Sequence, residues 1–137
     1  MPTPFPSVQV KQKPWGREIW FAQTEQYAGK ILELKKGHRY SLQYHERKVE
    51  TQYVFEGKVK FTVGQDHAHL EEKILNSGEA IHINVGMLHR AEALEDSKIF
   101  EVSTPDLEDV VKIEDDYGRS GKGNNEKLDA ELAQQSP

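Results

Sequence analysis

Two stretches of the 137-residue chain gather side chains that bind metals. Gln43, His45 and Glu50 lie between Gly37 and Gly57, and His89 follows Gly78 and Gly86. Gln43 and His45 are two residues apart, so on a strand they point to one face. Glu50 comes after a bend, where the segment Gln52-Tyr53-Val54-Phe55 begins, and a neighbouring antiparallel strand can return its carboxylate beside His45. Gly78 opens another strand, Asn84-Val85-Gly86 makes a turn, and His89 starts the strand after it. Two imidazoles, one carboxylate and one amide oxygen leave coordination positions open, a donor set suited to Mn, Fe, Co, Ni or Zn. A divalent transition metal with an open position is a Lewis acid toward a carbonyl and its neighbouring hydroxyl. The alternative for the same four residues is a satisfied polar cluster in a barrel without metal.

Strands must present these groups, and the middle of the chain is patterned for strands. Val59, Phe61 and Val63 alternate with polar residues, as do Ile81, Ile83 and Val85. Further segments are predicted at 17–22, 29–34, 50–55, 72–76, 90–94 and 98–103. No long helical stripe competes with them. About eight short strands with glycine turns predict a closed or sandwiched antiparallel sheet, since closure removes exposed edges. Gly37, Gly57, Gly78 and Gly86 are read as turn residues that locate the fold. Residues 1–12 carry three prolines and are expected as an extended N-terminal arm, able to add to a sheet edge of this chain or of a partner. Residues 120–137 are polar and small, with one weak helical stretch at 126–133, and are expected as a flexible tail.

Composition removes several functions. There is no cysteine, hence neither disulfides nor thiolate ligands. A net charge of -5 argues against nucleic-acid binding, which needs a basic surface. No apolar run approaches the roughly 20 residues of a membrane span, and the N-terminus has no basic start followed by an apolar stretch. The expectation is a cytoplasmic protein with small-molecule partners.

The spacing resembles the cupin superfamily. Its first motif, G-x5-H-x-H-x4-E-x6-G, is met by Gly37, Gln43, His45, Glu50 and Gly57, with glutamine for the first histidine. Its second, G-x5-P-x-G-x2-H-x3-N, is met by Gly78, Gly86 and His89, with Asn84 for proline and Ala93 for asparagine. The resemblance implies an all-β double-stranded β-helix, a jelly-roll barrel over residues 13–119, holding a metal through Gln43, His45, Glu50 and His89. Outside these motifs, "KPWGREIW" at 13–20, "SLQYH" at 41–45, "HRAEA" at 89–93 and "DLEDVVKIEDDYGR" at 106–119 are similar to the cupin domain of type II mannose-6-phosphate isomerases. That domain is commonly fused behind a sugar-nucleotide-transferring domain, so a stand-alone version is expected. Lys48 and Gln52 depart from the arginine and tryptophan of those isomerases.

The function this implies is a metal-dependent sugar-phosphate isomerase, with a sugar or sugar phosphate as ligand and a homodimer as the assembly. Arg90 and Arg119 are the candidates to hold the phosphate, because a guanidinium forks onto phosphate oxygens; either is otherwise a surface ion pair. Lys13, Arg17, Lys30, Lys35 and Lys48 are weaker candidates. Glu101 is the candidate base; His82 falls on the face opposite Ile81 and Ile83. Trp15 and Trp20 are read as packing the arm onto the barrel, and His67 and His69 as a solvated hairpin. Glu108, Asp109, Glu114, Asp115 and Asp116 read as a solvated face or capping segment. Two other functions stay open: a carbohydrate- or metabolite-binding module without catalysis, and an Fe(II) dioxygenase using His45, Glu50 and His89.

Overall fold

Alternation decides which way each strand faces. In the segment 28–34, Lys30, Leu32 and Leu34 are buried while Ile31 and Glu33 are partly open. The computed structural model describes residues 3–135. In chain order its strands are β1 (Gln9–Lys13), β2 (Gly16–Gln23), β3 (Ala28–Leu34), β4 (Leu42–Tyr44), β5 (Glu50–Glu56) and β6 (Lys58–Gly64). They continue as β7 (Leu70–Asn76), β8 (Ala80–Ile83), β9 (Leu88–Ala93), β10 (Ser97–Ser103), β11 (Val111–Glu114) and β12 (Gly121–Lys122), followed by one helix, α1 (Glu126–Gln135).

Two antiparallel six-stranded sheets result, ordered β1-β2-β3-β10-β5-β8 and β12-β11-β4-β9-β6-β7. This is the closed antiparallel architecture that alternation predicts and the jelly roll that the resemblance to cupins implies. One part of the space between the sheets is apolar, filled by Leu32, Leu34, Val54, Val59, Phe61, Leu75 and Ile99, all at or below 4% exposure. The other part is polar and holds the candidate site. Gly57 shows why the β5–β6 turn needs glycine: its φ is 98°, and a Cβ there would sit 2.3 Å from Ser97 Oγ.

The segments with clear alternation became strands β2, β3 and β5 to β10. The arm pairs with β2 at an edge of its own sheet, Gln9 opposite Trp20 and Lys13 opposite Gly16. Met1 and Pro2 lie outside the described residues. Trp15 and Trp20 are buried, as packing residues should be.

The end of the chain, expected as a flexible tail over 120–137, carries a short strand and a helix; Ser136 and Pro137 lie outside the described residues. Residues 121–122 pair with β11, and α1 lies against β1. The physical reason is charge: Asp129 of α1, 2% exposed, is paired to Lys13 at 2.8 Å and to Arg119 at 3.1 Å. Hydropathy patterning is blind to a helix anchored in this way. Among the described residues no helix is long and apolar enough to cross a membrane.

Candidate metal centre

His45 stands just past β4, Glu50 opens β5, and His89 is the second residue of β9. Cross-strand register brings them together. Gln43 is opposite His89, and the fold of the barrel turns Glu50 toward both imidazoles. His45 Nε2 lies 3.3 Å and His89 Nε2 3.2 Å from the same oxygen, Glu50 Oε1. All three residues are at or below 5% exposure.

The opposite ring nitrogens fix the tautomers. His45 Nδ1 donates to the Asp109 carbonyl at 2.5 Å and His89 Nδ1 to the Met87 carbonyl at 2.9 Å. Because a carbonyl only accepts, each Nδ1 carries the hydrogen and each Nε2 a lone pair. Burial moves the His45 pKa below its ordinary value, which favours the neutral ring. Burial opposes ionisation of Glu50, but the Lys48 ammonium beside it holds its carboxyl well below the usual range. Three electron-pair donors therefore face one another with no proton between them. Buried His89 Nε2 has no hydrogen-bond partner, while Glu50 Oε2 lies 3.1 Å from the Lys48 ammonium. Such an arrangement is costly unless a cation sits among the donors, and the donor set fits a divalent transition ion. Gln43 lines the adjoining cavity; its Oε1 accepts the Ser41 hydroxyl at 2.6 Å.

Asp109 holds the loop that carries His45. Its carboxylate accepts the backbone N–H groups of Glu46, Arg47 and Lys48 at 3.1, 2.7 and 2.8 Å. Asp109 and Asp115 are thus capping and pairing groups, whereas Glu114 and Asp116 stay exposed or half-exposed as a solvated face does.

Beside the donors lies a cavity of about 40 Å³, lined on one wall by Gln52, Glu101 and Lys30, which stand opposite one another on β5, β10 and β3. Lys48 Nζ bridges Glu50 Oε2 at 3.1 Å and Glu101 Oε2 at 3.2 Å. Gln52 Nε2 donates to Glu50 Oε1 at 3.2 Å. Burial, then the charge of Glu50, pushes the Glu101 carboxyl up to about 7. Glu18 is the opposite case: burial alone would raise it, but Lys30, Lys13 and the Trp20 N–H hold it at about 2.

Of the sequence candidates, His45, Glu50 and His89 converge, and Gln43, Glu101 and Arg119 line the cavity beside them. Arg90 is not brought there. It follows His89 on β9 and faces the other way, donating to the carbonyls of Tyr40 at 2.9 Å and Glu114 at 3.1 Å. It ties β9 to the segments beside it. Arg119 is close to saturated, forked onto Asp115 and bonded to Asp129. His82 is exposed on the outer face, bonded to Thr51, and His67 and His69 are exposed with carboxylate partners. Glu18, Gln52 and Lys112, none of them singled out as site residues, also line the cavity, and Lys30 and Lys48 do so more directly than expected. Alternation was the signal available for two of them: Lys30 shares a face with Leu32 and Leu34, and Glu18 with Trp20.

Comparison with known proteins agrees with this fold. Residues 7–115 match the family described as mannose-6-phosphate isomerase C-terminal. The mannose-1-phosphate guanylyltransferase ManC of Salmonella typhimurium is 30% identical over 112 residues, 78% of this chain and 22% of that protein. The xanthan biosynthesis protein XanB of Xanthomonas campestris is 27% identical over 113 residues, 79% of this chain and 23% of its own length. The chain thus spans about a fifth of the length of these curated relatives. Among solved structures, oxalate decarboxylase from Bacillus subtilis aligns with a TM-score of 0.68 at 18% identity, covering 80% of this chain and 31% of that one. KdgF from Halomonas sp. aligns at 0.63 and 23%, covering 73% and 86%. These two likenesses establish the barrel and nothing finer. Matched over most of its length, the chain belongs to the mannose-6-phosphate isomerase C-terminal family of cupin domains.

Proposed function

We propose that the protein is a metal-dependent sugar-phosphate isomerase that interconverts an aldose and a ketose. One observation carries this reading: three proton-free donors, His45 Nε2, His89 Nε2 and Glu50 Oε1, meet beside a buried carboxyl, Glu101, that the donor set does not need. Held by His45, Glu50, His89 and Gln43, a divalent ion supplies Lewis-acid polarisation of a carbonyl and its neighbouring hydroxyl. Glu101 is the group that takes the proton from the carbon beside the carbonyl and returns it to the adjacent carbon. Lys48, between Glu50 and Glu101, balances the charge of both carboxylates and limits their mutual repulsion. Family membership supports hexose phosphates as the substrates to try first.

A binding module without turnover is the second reading, favoured by the engagement of the proposed base, since Glu101 Oε2 already meets the Lys48 ammonium at 3.2 Å; the cavity is small for either reading. About 40 Å³ holds a few waters, whereas ligand pockets run to about 300–1,000 Å³. The test is metal-reconstituted protein with mannose 6-phosphate in D2O, followed by NMR. Fructose 6-phosphate carrying solvent deuterium supports the isomerase. Binding without turnover, with each of Mn, Fe, Co, Ni and Zn, refutes it and leaves the binding module.

A further inference from the structure

Arg119 and Asn124, which follow β11, line one side of the cavity and limit its size. Lys13, Lys112 and Arg119 line the cavity there, and residues that follow β11 meet all three. Asp129 Oδ2 is 2.8 Å from Lys13 Nζ and its Oδ1 is 3.1 Å from Arg119 Nη1. Lys112 Nζ donates to the Gly123 carbonyl at 2.5 Å and to Asn124 Oδ1 at 3.1 Å, and among the described residues it has no carboxylate partner. Burial, with the charges of Arg119 and Lys13 beside it, lowers the Lys112 ammonium to about 8. Lys13 and Arg119 are thus paired to Asp129, Arg119 also to Asp115, and Glu18 adds a carboxylate whose ionised form Lys13 favours, while Lys112 pairs with none of the three.

Asp129 is the buried residue of α1, and the helix is held by ion pairs, with Lys11–Glu126 at 2.6 Å as the outer one. Leu128, Ala130, Leu132 and Ala133 of α1 are half-buried, and an element anchored in this way opens below the global unfolding free energy. The strand between β11 and α1 turns at Gly118, Gly121 and Gly123, whose φ angles are 76°, 124° and 78°.

We infer that Lys13, Lys112 and Arg119 form an anion subsite at the barrel mouth, that Asp129 occupies it in the closed chain, and that a phosphate group enters by displacing Asp129 together with α1. The inference rests on the cavity being a sugar-phosphate site. Charge favours phosphate over a carboxylate ligand: a dianion in place of Asp129 brings a second negative charge beside Lys112, which has no carboxylate partner among the described residues, whereas another carboxylate does not. The same displacement opens the mouth and so accounts for a cavity too small for a sugar in the closed chain.

Calorimetry with inorganic phosphate on metal-loaded wild type, Asp129→Asn and Lys112→Met tests this, with hydrogen exchange across residues 126–135 as the second readout. Asp129→Asn is expected to bind phosphate about tenfold tighter than wild type, the effect of removing a competing contact of about 1.4 kcal/mol. Lys112→Met is expected to bind about tenfold weaker, and phosphate is expected to speed exchange in α1 of the wild type. No gain in Asp129→Asn, or exchange in α1 that phosphate slows or leaves unchanged, overturns the inference. Should Asp129→Asn fail to fold, the wild-type exchange decides alone. Phosphate binding as described without sugar-phosphate turnover refutes the isomerase and upholds the subsite; turnover with no effect of Asp129→Asn on phosphate binding does the reverse.

Discussion

Replacing His89 by leucine should make the barrel indifferent to metal while leaving its metal-free stability nearly unchanged. His89 is fully buried, and its Nε2 lone pair faces the lone pairs of Glu50 Oε1 and His45. Without a cation, an unsatisfied buried acceptor costs about 1–3 kcal/mol. Leucine has a similar volume, removes that acceptor, and gives up the Nδ1 bond to Met87, worth about 1 kcal/mol. The two effects oppose, so EDTA-stripped His89→Leu should lie within about 1 kcal/mol of wild type. Metal then separates the proteins. At a free concentration of 100 Kd, an ion that binds only the folded state stabilises it by about 2.7 kcal/mol. For a chain of this size that is a rise in Tm of about 8–11 °C for wild type and none for His89→Leu. Thermal melts of stripped protein with Mn, Fe(II), Co, Ni and Zn in turn provide the assay. The reasoning fails if no metal shifts the wild type, or if His89→Leu shifts as far. It fails in another way if stripped His89→Leu loses 4 kcal/mol or more, at the large end for truncating a buried side chain, because His89 would then be a satisfied core residue.

Three other expectations follow from the same geometry. Glu101→Gln keeps the shape of the base without its proton acceptor, so kcat for aldose–ketose exchange should fall by about 10²–10⁴ with metal content unchanged; equal kcat would remove Glu101 from the reaction. Asp109→Ala frees the three backbone N–H groups that hold the His45 loop and should lower metal affinity by about 10–100-fold, read by chelator competition; an unaltered Kd would mean that the loop needs no such support. Glu18 has a folded pKa of about 2 against an ordinary 4.5, so its stabilisation is complete above pH 4.5 and is lost as pH falls through 2. It amounts to about 3 kcal/mol, and acid denaturation of Glu18→Gln, which lacks Lys30's and Trp20's charged partner, should show a correspondingly shallower loss between those limits than wild type.

The donors could be read from the sequence because their arrangement is local. Gln43 and His45 share a face by period two, and the glycine-bounded spacing places Glu50 and His89 at strand starts. The same rule carried information about Arg90, which cannot face inward if its neighbour His89 does, and the chemistry of guanidinium and phosphate pointed the other way. Lys112 was harder to see. It lies on a four-residue strand, too short for alternation to register, and only its register opposite Gln43 turns it toward the cavity. Asp115 and Asp109 looked solvated because a carboxylate's partners, here a guanidinium and three backbone N–H groups, leave no mark on composition.

By itself, the sequence determined the strand-rich fold and the faces of its longer strands, which follow from spacings of a few residues, and its two glycine-bounded motifs, through their resemblance to cupins, named the three converging donors. Only the tertiary structure decided what surrounds them. Glu50 meets Lys48 and Glu101 because β5 and β10 pair in one register and not another, and Asp129 reaches Lys13 across 116 residues because two sheets close around the polar part of the barrel. Such contacts depend on how the whole chain closes, and no local period encodes them.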